Sequence, residues 1–312
     1  MKLAVLFSGQ GSQFPGMGLD FIEKNQHAKL LINQYSKYLD LDLVSLLNDA
    51  EEINDTRYTQ PLMVSVEMLI HHILTGDYEL RIDGYAGFSL GEYTAFYASG
   101  IYHDEVLLKL INERAKLMQD AAKLADGAMA AILQLEDHVV EELCLSVTDD
   151  EGIVVPANYN SPGQLVVSGD KDRVLKVIEK AKEKGARRAI LLNVSGAFHS
   201  PYMQQAGFLL RSFAGMYIPH KNTAPIYANS TALPLNVSNI LDEIETQIQS
   251  PVYFKQTIQN MVKDGYTHFL EIGPGNVLAS LVKKINPDVK VYNVSKYEDI
   301  ENIKELFYEF KR

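Results

Sequence analysis

The chain has 312 residues, and 46% of them are apolar, which excludes an intrinsically disordered protein. Its formal net charge of -11 argues against non-specific binding to nucleic acid, because such binding requires Lys and Arg to neutralise phosphates. Cys144 is the only cysteine, so intramolecular disulfides and zinc sites built from several thiolates are excluded, and we interpret it as a packing residue. There is no signal-peptide pattern and no apolar run of about 18 residues, so we expect a cytoplasmic protein without membrane contact.

The first third of the sequence alternates strand-like and helix-like segments. The apolar run from Leu3 to Phe7 is typical of a strand buried in a parallel sheet, and a glycine-rich loop follows it. A helical pattern begins near Thr59 with an early proline, a strand is predicted near Tyr85, and two helices cover about 90–124. Strands that alternate with helices favour a parallel α/β sheet.

From Gly127 the pattern changes to β-α-β-β-α-β, with strands at 128–135, 152–159, 164–169 and 187–194 and helices at 137–147 and 171–184. We therefore predict an inserted ferredoxin-like small domain over 127–194, and a large domain from 1–126 and 195–312. The α/β alternation then resumes, with a helix after 200, a strand near Ile226, helices near 240 and 256, the strand 267–272, a helix after Gly275 and a strand near Val291. The charged segment 298–311 is most simply a solvated helix.

The stretch Gly87-Phe-Ser-Leu-Gly91 has the spacing of a sharp strand-to-helix turn that holds a serine hydroxyl at its corner. An ordinary turn that happens to contain serine is the alternative. A serine nucleophile at Ser89 requires a base. Among the eight histidines, His199 is the best candidate because it follows a strand and lies at the predicted domain junction; a capping or surface role is the alternative.

The loop Gly9-Gln-Gly-Ser-Gln-Phe14 lacks the third glycine of a dinucleotide fingerprint, and the chain has no Gly-Lys-Ser/Thr for a P-loop. A phosphate site is therefore disfavoured. Such a loop after a buried strand can instead offer backbone N–H groups to a developing negative charge, although turn formation alone also explains it.

Eight stretches together resemble the malonyl-CoA:acyl carrier protein transacylases of type II fatty acid synthesis and the related acyltransferase domains of polyketide synthases. They are Gly9-Gln-Gly-Ser-Gln13, Thr59-Gln-Pro61, Gly87-Phe-Ser-Leu-Gly-Glu92, Glu113-Arg114, Ala157-Asn-Tyr-Asn-Ser-Pro-Gly163, Gly196-Ala-Phe-His199, Gln247-Ile-Gln-Ser-Pro-Val252 and Glu271-Ile-Gly-Pro-Gly275. The resemblance implies an α/β-hydrolase-like large domain with an inserted ferredoxin-like domain.

The resemblance also implies residue roles. Ser89 would be the nucleophile and His199 the general base and acid. The backbone N–H groups of Gln10 and Leu90 would form the oxyanion hole, and the backbone carbonyl of Gln247 would orient the histidine ring.

Three further residues would bind the acyl group. Arg114, which on sequence alone is equally a solvated helix residue, would grip the free carboxylate of malonate through two parallel hydrogen bonds. Met118 and Phe198 would line the acyl pocket, with core packing as the alternative. The sequence departs from the family at Ser8, where proline is usual, and at Phe88, where histidine is usual.

The resemblance implies a ping-pong transfer of malonyl from malonyl-CoA to the phosphopantetheine thiol of acyl carrier protein, without a metal or cofactor and by a monomer. The alternatives are a free-standing malonyltransferase of a polyketide synthase, an editing thioesterase with water as acceptor, and a non-catalytic carrier-docking subunit. Since carrier protein is acidic in this family and the chain is acidic too, docking requires a local basic patch. The candidates are Lys255, Arg187-Arg188 and Lys283-Lys284.

Overall fold

The structure is a computed structural model that describes residues 1–311. In chain order its strands and helices are β1 (Lys2–Phe7), α1 (Leu19–Lys24), α2 (Gln26–Leu39), α3 (Leu43–Asn48), α4 (Thr56–His72), β2 (Gly84–Gly87), α5 (Gly91–Ala98), α6 (Asp104–Ala122), β3 (Gly127–Leu133), α7 (Asp137–Val147), β4 (Val154–Ser161), β5 (Gln164–Asp170), α8 (Lys171–Glu183), β6 (Arg188–Leu191), α9 (Gln204–Ala214), α10 (Ile240–Gln247), α11 (Phe254–Lys263), β7 (Tyr266–Ile272), α12 (Val277–Ile285), β8 (Lys290–Val294) and α13 (Lys304–Glu309). Short 3₁₀ helices at Glu52–Asn54, Pro201–Met203, Val237–Asn239 and Tyr297–Ile303 connect some of them, and a π-helical turn follows α4.

The first sheet is parallel and has the strand order β2-β1-β7-β8. Residues Leu3 to Phe7 of β1 are fully buried, and their side chains alternate between two helical layers. Leu3, Val5 and Phe7 belong to the core that includes α4, α5 and α6, whereas Ala4 and Leu6 belong to the core formed with α11 and α12. The predicted parallel α/β sheet is confirmed.

The second sheet is antiparallel, with the order β4-β5-β3-β6, and its elements follow one another as β-α-β-β-α-β. Helices α7 and α8 cover one face, and Cys144 lies in that core, as its packing interpretation predicts. On the other face, Met129 and Val166 pack toward the larger core. The presence of a separate second sheet is confirmed, while the predicted domain boundaries at 126/127 and 194/195 stay predictions.

Two local predictions are wrong. Ile226 forms one parallel bridge with Tyr85 but no strand, because the chain turns back at once and Tyr227 pairs with Pro234. The segment 298–311 is not a solvated helix, because its apolar residues at helical spacing pack into the main core. These are Ile300, Ile303, Leu306 and Phe310, each at most 2% exposed.

Candidate active site

Ser89 occupies the sharp turn between β2 and α5, with a φ of 52° in the left-handed region. The flanking glycines are required by close backbone approach. A Cβ on Gly87 would lie 2.0 Å from the carbonyl carbon of Gly91, and a Cβ on Gly91 would lie 2.2 Å from the carbonyl oxygen of Phe7. The turn therefore fits tightly over the end of β1 and presents the Ser89 hydroxyl outward.

Asn229 clamps this turn from both sides. Its side-chain oxygen accepts from the Ser89 N–H at 2.7 Å, and its side-chain nitrogen donates to the Gly87 carbonyl at 2.8 Å. The buried carboxyl group of Glu92 in turn accepts from the Asn229 N–H at 2.9 Å. Sequence analysis missed Asn229 because this residue belongs to none of the motifs. The only feature that could have indicated it is its position just after the extended segment at Ile226.

His199 lies beside Ser89, with 2.8 Å between its Nε2 and the Ser89 Oγ. Its Nδ1 faces two backbone carbonyls, those of Gln247 at 3.0 Å and Ser250 at 3.2 Å. Because both are acceptors, they hold the ring in the tautomer with hydrogen on Nδ1 and leave Nε2 free to accept. The Gln247 carbonyl is where the resemblance implies it, while the Ser250 carbonyl was missed although it lies in the same quoted stretch.

His199 is buried, and this sets its protonation. Burial and the nearby charge of Arg114 lower the pKa of His199 to about 4. The two backbone carbonyls favour the protonated ring and raise the pKa, but by less. The imidazole is therefore neutral at physiological pH. A neutral imidazole bonded to a serine hydroxyl can take the serine proton.

Arg114 is buried in α6 and points at the same hydroxyl, so the solvated-helix alternative is wrong. Its Nη2 donates to Ser89 Oγ at 3.0 Å and to the Gln247 side-chain oxygen at 3.1 Å, and its Nη1 donates to Gln60 at 2.7 Å. The guanidinium also lies 5.1 Å from the Tyr93 ring centroid. Sequence analysis missed Gln60 as a partner, although Gln60 belongs to the Thr59-Gln-Pro61 stretch.

Within residues 1–311, Arg114 forms no ion pair, and its Nε has no hydrogen-bond partner. The buried Glu92 acts on its charge, but burial raises the pKa of Glu92 well above its usual range, so that carboxyl is mostly uncharged. Burial lowers the pKa of Arg114 from its usual value, but a guanidinium stays charged in proteins. A buried cation without an anionic partner is costly. The site is thus electrostatically suited to an anionic ligand next to Ser89.

The backbone N–H groups of Gln10 and Leu90 donate no hydrogen bond to any part of the described chain. They lie on adjacent segments, since Phe88 donates its N–H to the Phe7 carbonyl at 3.0 Å and a Cβ on Gly9 would lie 2.7 Å from the Phe88 carbonyl oxygen. Both segments line one cleft with Ser89. Unpaired amides beside a nucleophile can stabilise an oxyanion.

The cleft has a volume of about 350 Å³ and is lined from both sheets, by Met129 and Val166 on one side and the Ser89 turn on the other. Met118 and Phe198 line it and are also largely buried in the main core, so each packs and borders the pocket at once. Phe88 lines it too, with its ring 5.6 Å from that of Phe254. The cleft is lined by seven of the eight sequence-predicted site residues, and the eighth, Gln247, is bonded to Arg114 and His199, while the chemical roles of all eight stay predictions.

In the described part of the chain, no group of three or more His, Cys, Asp or Glu side chains is arranged to hold a metal ion. None of the helices between residues 1 and 311 combines the length and apolar character needed to cross a membrane.

An α/β fold with a serine at a strand-to-helix turn, bonded to an imidazole and flanked by free amides, is the arrangement of enzymes that transfer acyl groups. The sequence agrees with this class, because residues 5–300 match the acyl transferase domain family. The chain belongs to this family.

Its relatives carry a more specific name. It is 35% identical to the malonyl CoA-acyl carrier protein transacylase of Staphylococcus aureus (strain MSSA476), over 96% of this chain and 97% of that protein. It is 37% identical to the protein of the same name from Bacillus subtilis (strain 168), over 96% of this chain and 95% of that protein.

Solved structures of other proteins also match this chain over nearly its whole length. The malonyl CoA-acyl carrier protein transacylase from Clostridium perfringens superposes with a TM-score of 0.94 at 35% identity, covering 99% of this chain and 98% of that one. A malonyl-transacylase in complex with its type II PKS acyl-carrier protein has a TM-score of 0.94 at 30% identity, covering 98% of this chain and 99% of that one.

Proposed function

We propose that this protein is a malonyl-CoA:acyl carrier protein S-malonyltransferase that works through a malonyl-serine intermediate. One observation carries the proposal beyond acyl transfer in general. The buried guanidinium of Arg114, which has no anionic partner among residues 1–311, lies 3.0 Å from the hydroxyl of Ser89. An acyl group on this serine that carries its own carboxylate would supply the missing charge.

In the first half-reaction, Ser89 Oγ attacks the thioester carbonyl while His199 Nε2 takes its proton. The Gln10 and Leu90 amides donate to the developing oxyanion, and such a donor is typically worth about 3 kcal/mol. The tetrahedral intermediate collapses by breaking the carbon–sulfur bond, and the imidazolium returns the proton to the CoA sulfur. The lowered pKa of His199 makes its protonated form short-lived, which favours this return.

In the second half-reaction, the phosphopantetheine thiol of acyl carrier protein takes the place of CoA. His199 removes the thiol proton, sulfur attacks the malonyl-serine carbonyl, and the serine oxygen leaves with that proton. The same groups serve both steps because each step replaces the atom bonded to the acyl carbon. Serine oxygen replaces CoA sulfur in the first step, and carrier sulfur replaces serine oxygen in the second. CoA is a substrate here, and the scheme requires no cofactor or metal.

We also propose how the fold divides into two domains. We assign an α/β-hydrolase-like catalytic domain to 1–126 and 195–312, and a ferredoxin-like domain to 127–194. The parallel sheet with the serine turn supports the first, and the order β-α-β-β-α-β supports the second. The malonyl group would enter between them, where the cleft is lined from both sheets.

We further propose a cytoplasmic monomer whose acidic carrier partner docks at a basic patch on the rim of the cleft. Lys283 and Lys284 suit this role, since both are exposed on α12, whose Val277 and Leu281 line the cleft. Lys255 suits it less, because its ammonium already pairs with Asp137. Reversal of charge at Lys283 and Lys284 should raise the KM for carrier protein and leave loading from malonyl-CoA unchanged.

The test is labelling with radioactive malonyl-CoA. Wild-type protein should acquire one label that moves to holo carrier protein, and Ser89→Ala should acquire none. A label retained by Ser89→Ala would contradict the assignment. Release of free malonate in place of malonyl-carrier would support the thioesterase, and carrier proteins from fatty acid and polyketide systems, compared as acceptors, distinguish the two pathways.

A further inference from the structure

Glu67 is a buried carboxyl group that the proposed reaction does not use. It lies in α4, fully shielded from solvent, and each of its oxygens forms a hydrogen bond with a different hydroxyl. Oε1 lies 2.7 Å from Ser8 Oγ, and Oε2 is bonded to Thr94 Oγ1. Ser8 and Thr94 are themselves fully buried, so this bridge is shielded from water and each bond counts for more than it would at the surface.

The two hydroxyls belong to the two segments that supply the proposed oxyanion hole. Ser8 begins the loop after β1 and precedes Gln10 by two residues. Thr94 lies in α5, one helical turn after Leu90. The carboxyl of Glu67 therefore spans the gap between the segment that carries one free amide and the segment that carries the other.

The surroundings leave this bridge little freedom. A Cβ on Gly273, in the loop after β7, would lie 2.3 Å from Ser8 Oγ and 2.8 Å from Glu67 Oε1, so the backbone closes the site from that side. Gly273 also has a φ of 126°, which a larger residue would adopt only with strain. The Ser8 hydroxyl and the Glu67 carboxyl thus have no empty volume to move into on that side.

We propose that Glu67 is a positioning residue for the oxyanion hole, which sets the spacing of the Gln10 and Leu90 amides by holding Ser8 and Thr94 together. The proposal rests on the proposed function, because it assumes that these amides stabilise the tetrahedral intermediate. Hydrogen bonds to an oxyanion are sensitive to small displacements, and a misplacement of 1 Å can cost about 100-fold in rate.

The protonation of Glu67 is consistent with this role. Burial raises the pKa of Glu67 to about 8, and the nearby Glu271 on β7 adds to this effect. The bonds with Thr94 and Ser8 act in the opposite direction but do not outweigh burial. At neutral pH the carboxyl is then mostly uncharged, so it accepts from one of the two hydroxyls and donates its own O–H to the other. A neutral bridge holds the two segments without placing a negative charge beside a developing oxyanion.

The experiment compares variants that break one link, both links or neither. Ser8→Ala breaks the link to the loop, Thr94→Val breaks the link to α5, and Glu67→Met breaks both. Glu67→Gln keeps the shape and can still accept from one hydroxyl and donate to the other. Ser65→Ala is the matched control, since Ser65 is buried in the same helix and its hydroxyl has no partner among the described residues.

The measurement is single-turnover formation of malonyl-serine by rapid quench over a range of malonyl-CoA concentrations. We expect Ser8→Ala, Thr94→Val and Glu67→Met to lower the saturating rate by about 10-fold, with the half-saturating concentration unchanged, because the oxyanion exists only along the reaction path. Glu67→Gln should remain within about 3-fold of wild type, and Ser65→Ala should match it. In the Glu67→Met background, Ser8→Ala should have no further effect.

Three results would overturn the proposal: a wild-type rate in Glu67→Met, effects of Ser8→Ala and Glu67→Met that multiply, or a raised half-saturating concentration at an unchanged rate. If Glu67→Met does not fold, the two single-link variants and their double mutant still decide. Failure of the wild-type protein to form malonyl-serine would instead remove the proposed function itself.

Discussion

Replacement of Arg114 by alanine should remove the preference for malonyl over acetyl. The guanidinium has five N–H donors. Three are used by the neutral acceptors Gln60, Gln247 and Ser89, and a malonyl carboxylate would take over Nη1 and Nη2 donors from these acceptors. Hydrogen bonds to charged groups are each worth about 1.5–3 kcal/mol, so two of them contribute about 3–6 kcal/mol to malonyl recognition. That corresponds to a loss of about 10²–10⁴-fold in kcat/KM for malonyl-CoA.

Acetyl-CoA should respond differently, because its acyl group offers nothing to the guanidinium and leaves it unpaired in the pocket. Its kcat/KM should stay constant or rise in Arg114→Ala. The assay is transfer from labelled malonyl-CoA and acetyl-CoA to holo carrier protein, measured on the same preparations. Lys109→Ala is the matched control on α6, since Lys109 is solvated and its ion pair with Glu105 lies at the surface.

The role of the charge can be separated from that of the shape at Gln60. In Gln60→Glu a carboxylate would replace the amide oxygen that accepts from Arg114 Nη1, and it would neutralise the guanidinium before substrate arrives. Malonyl transfer should fall while acetyl transfer does not. A malonyl preference that persists at its full size in Arg114→Ala would refute this account of specificity.

Three other predictions concern the base, the serine turn and the C-terminal segment. Because the pKa of His199 is lowered to about 4, Nε2 is already free at pH 5, so kcat/KM for loading should stay flat from pH 7 to 5 and fall near 4; a midpoint near 6.5 in the pH profile would contradict the burial argument. Asn229→Ala should leave the Ser89 N–H and the Gly87 carbonyl without partners, at about 1–3 kcal/mol each in urea unfolding and with a lower loading rate, whereas Asn229→Asp should restore the first bond alone. Phe310→Ala should lower the free energy of unfolding by about 3 kcal/mol while malonyl loading of the folded fraction is unchanged; an effect below about 1 kcal/mol would mean that the segment is dispensable.

Much of the fold could be predicted because its elements have strong local signals. The helix over 137–147 matches α7 in both bounds, since its apolar residues repeat at helical spacing between polar ends. Helix α4 begins earlier than predicted, at Thr56, because Asp55 accepts from the Arg57 N–H and caps it ahead of the signal at Thr59. Local pattern therefore gives the existence of an element more reliably than its first residue.

What the sequence could not reveal depends on contacts between distant segments. The apolar residues of 298–311 recur at helical spacing, but that pattern does not say which part of the fold receives them, and only their contacts with the main core show that they are buried. The partners of the site residues have the same character. Asn229 belongs to no motif, and the Ser250 carbonyl, although it lies in the stretch Gln247–Val252, is a backbone group whose role no residue type reveals; both act through bonds to residues far along the chain.

The central position of β1 in its sheet affects how the chain can fold during its synthesis on the ribosome. Strand β1 is made before both of its partners and pairs with β2 early, but its other edge waits for β7, beyond residue 265. The antiparallel sheet, by contrast, is contiguous between residues 127 and 191 and can close while synthesis continues. A nascent chain arrested before residue 266 would thus hold a finished small unit beside an open, apolar strand edge, which is the form that chaperones bind and that aggregates.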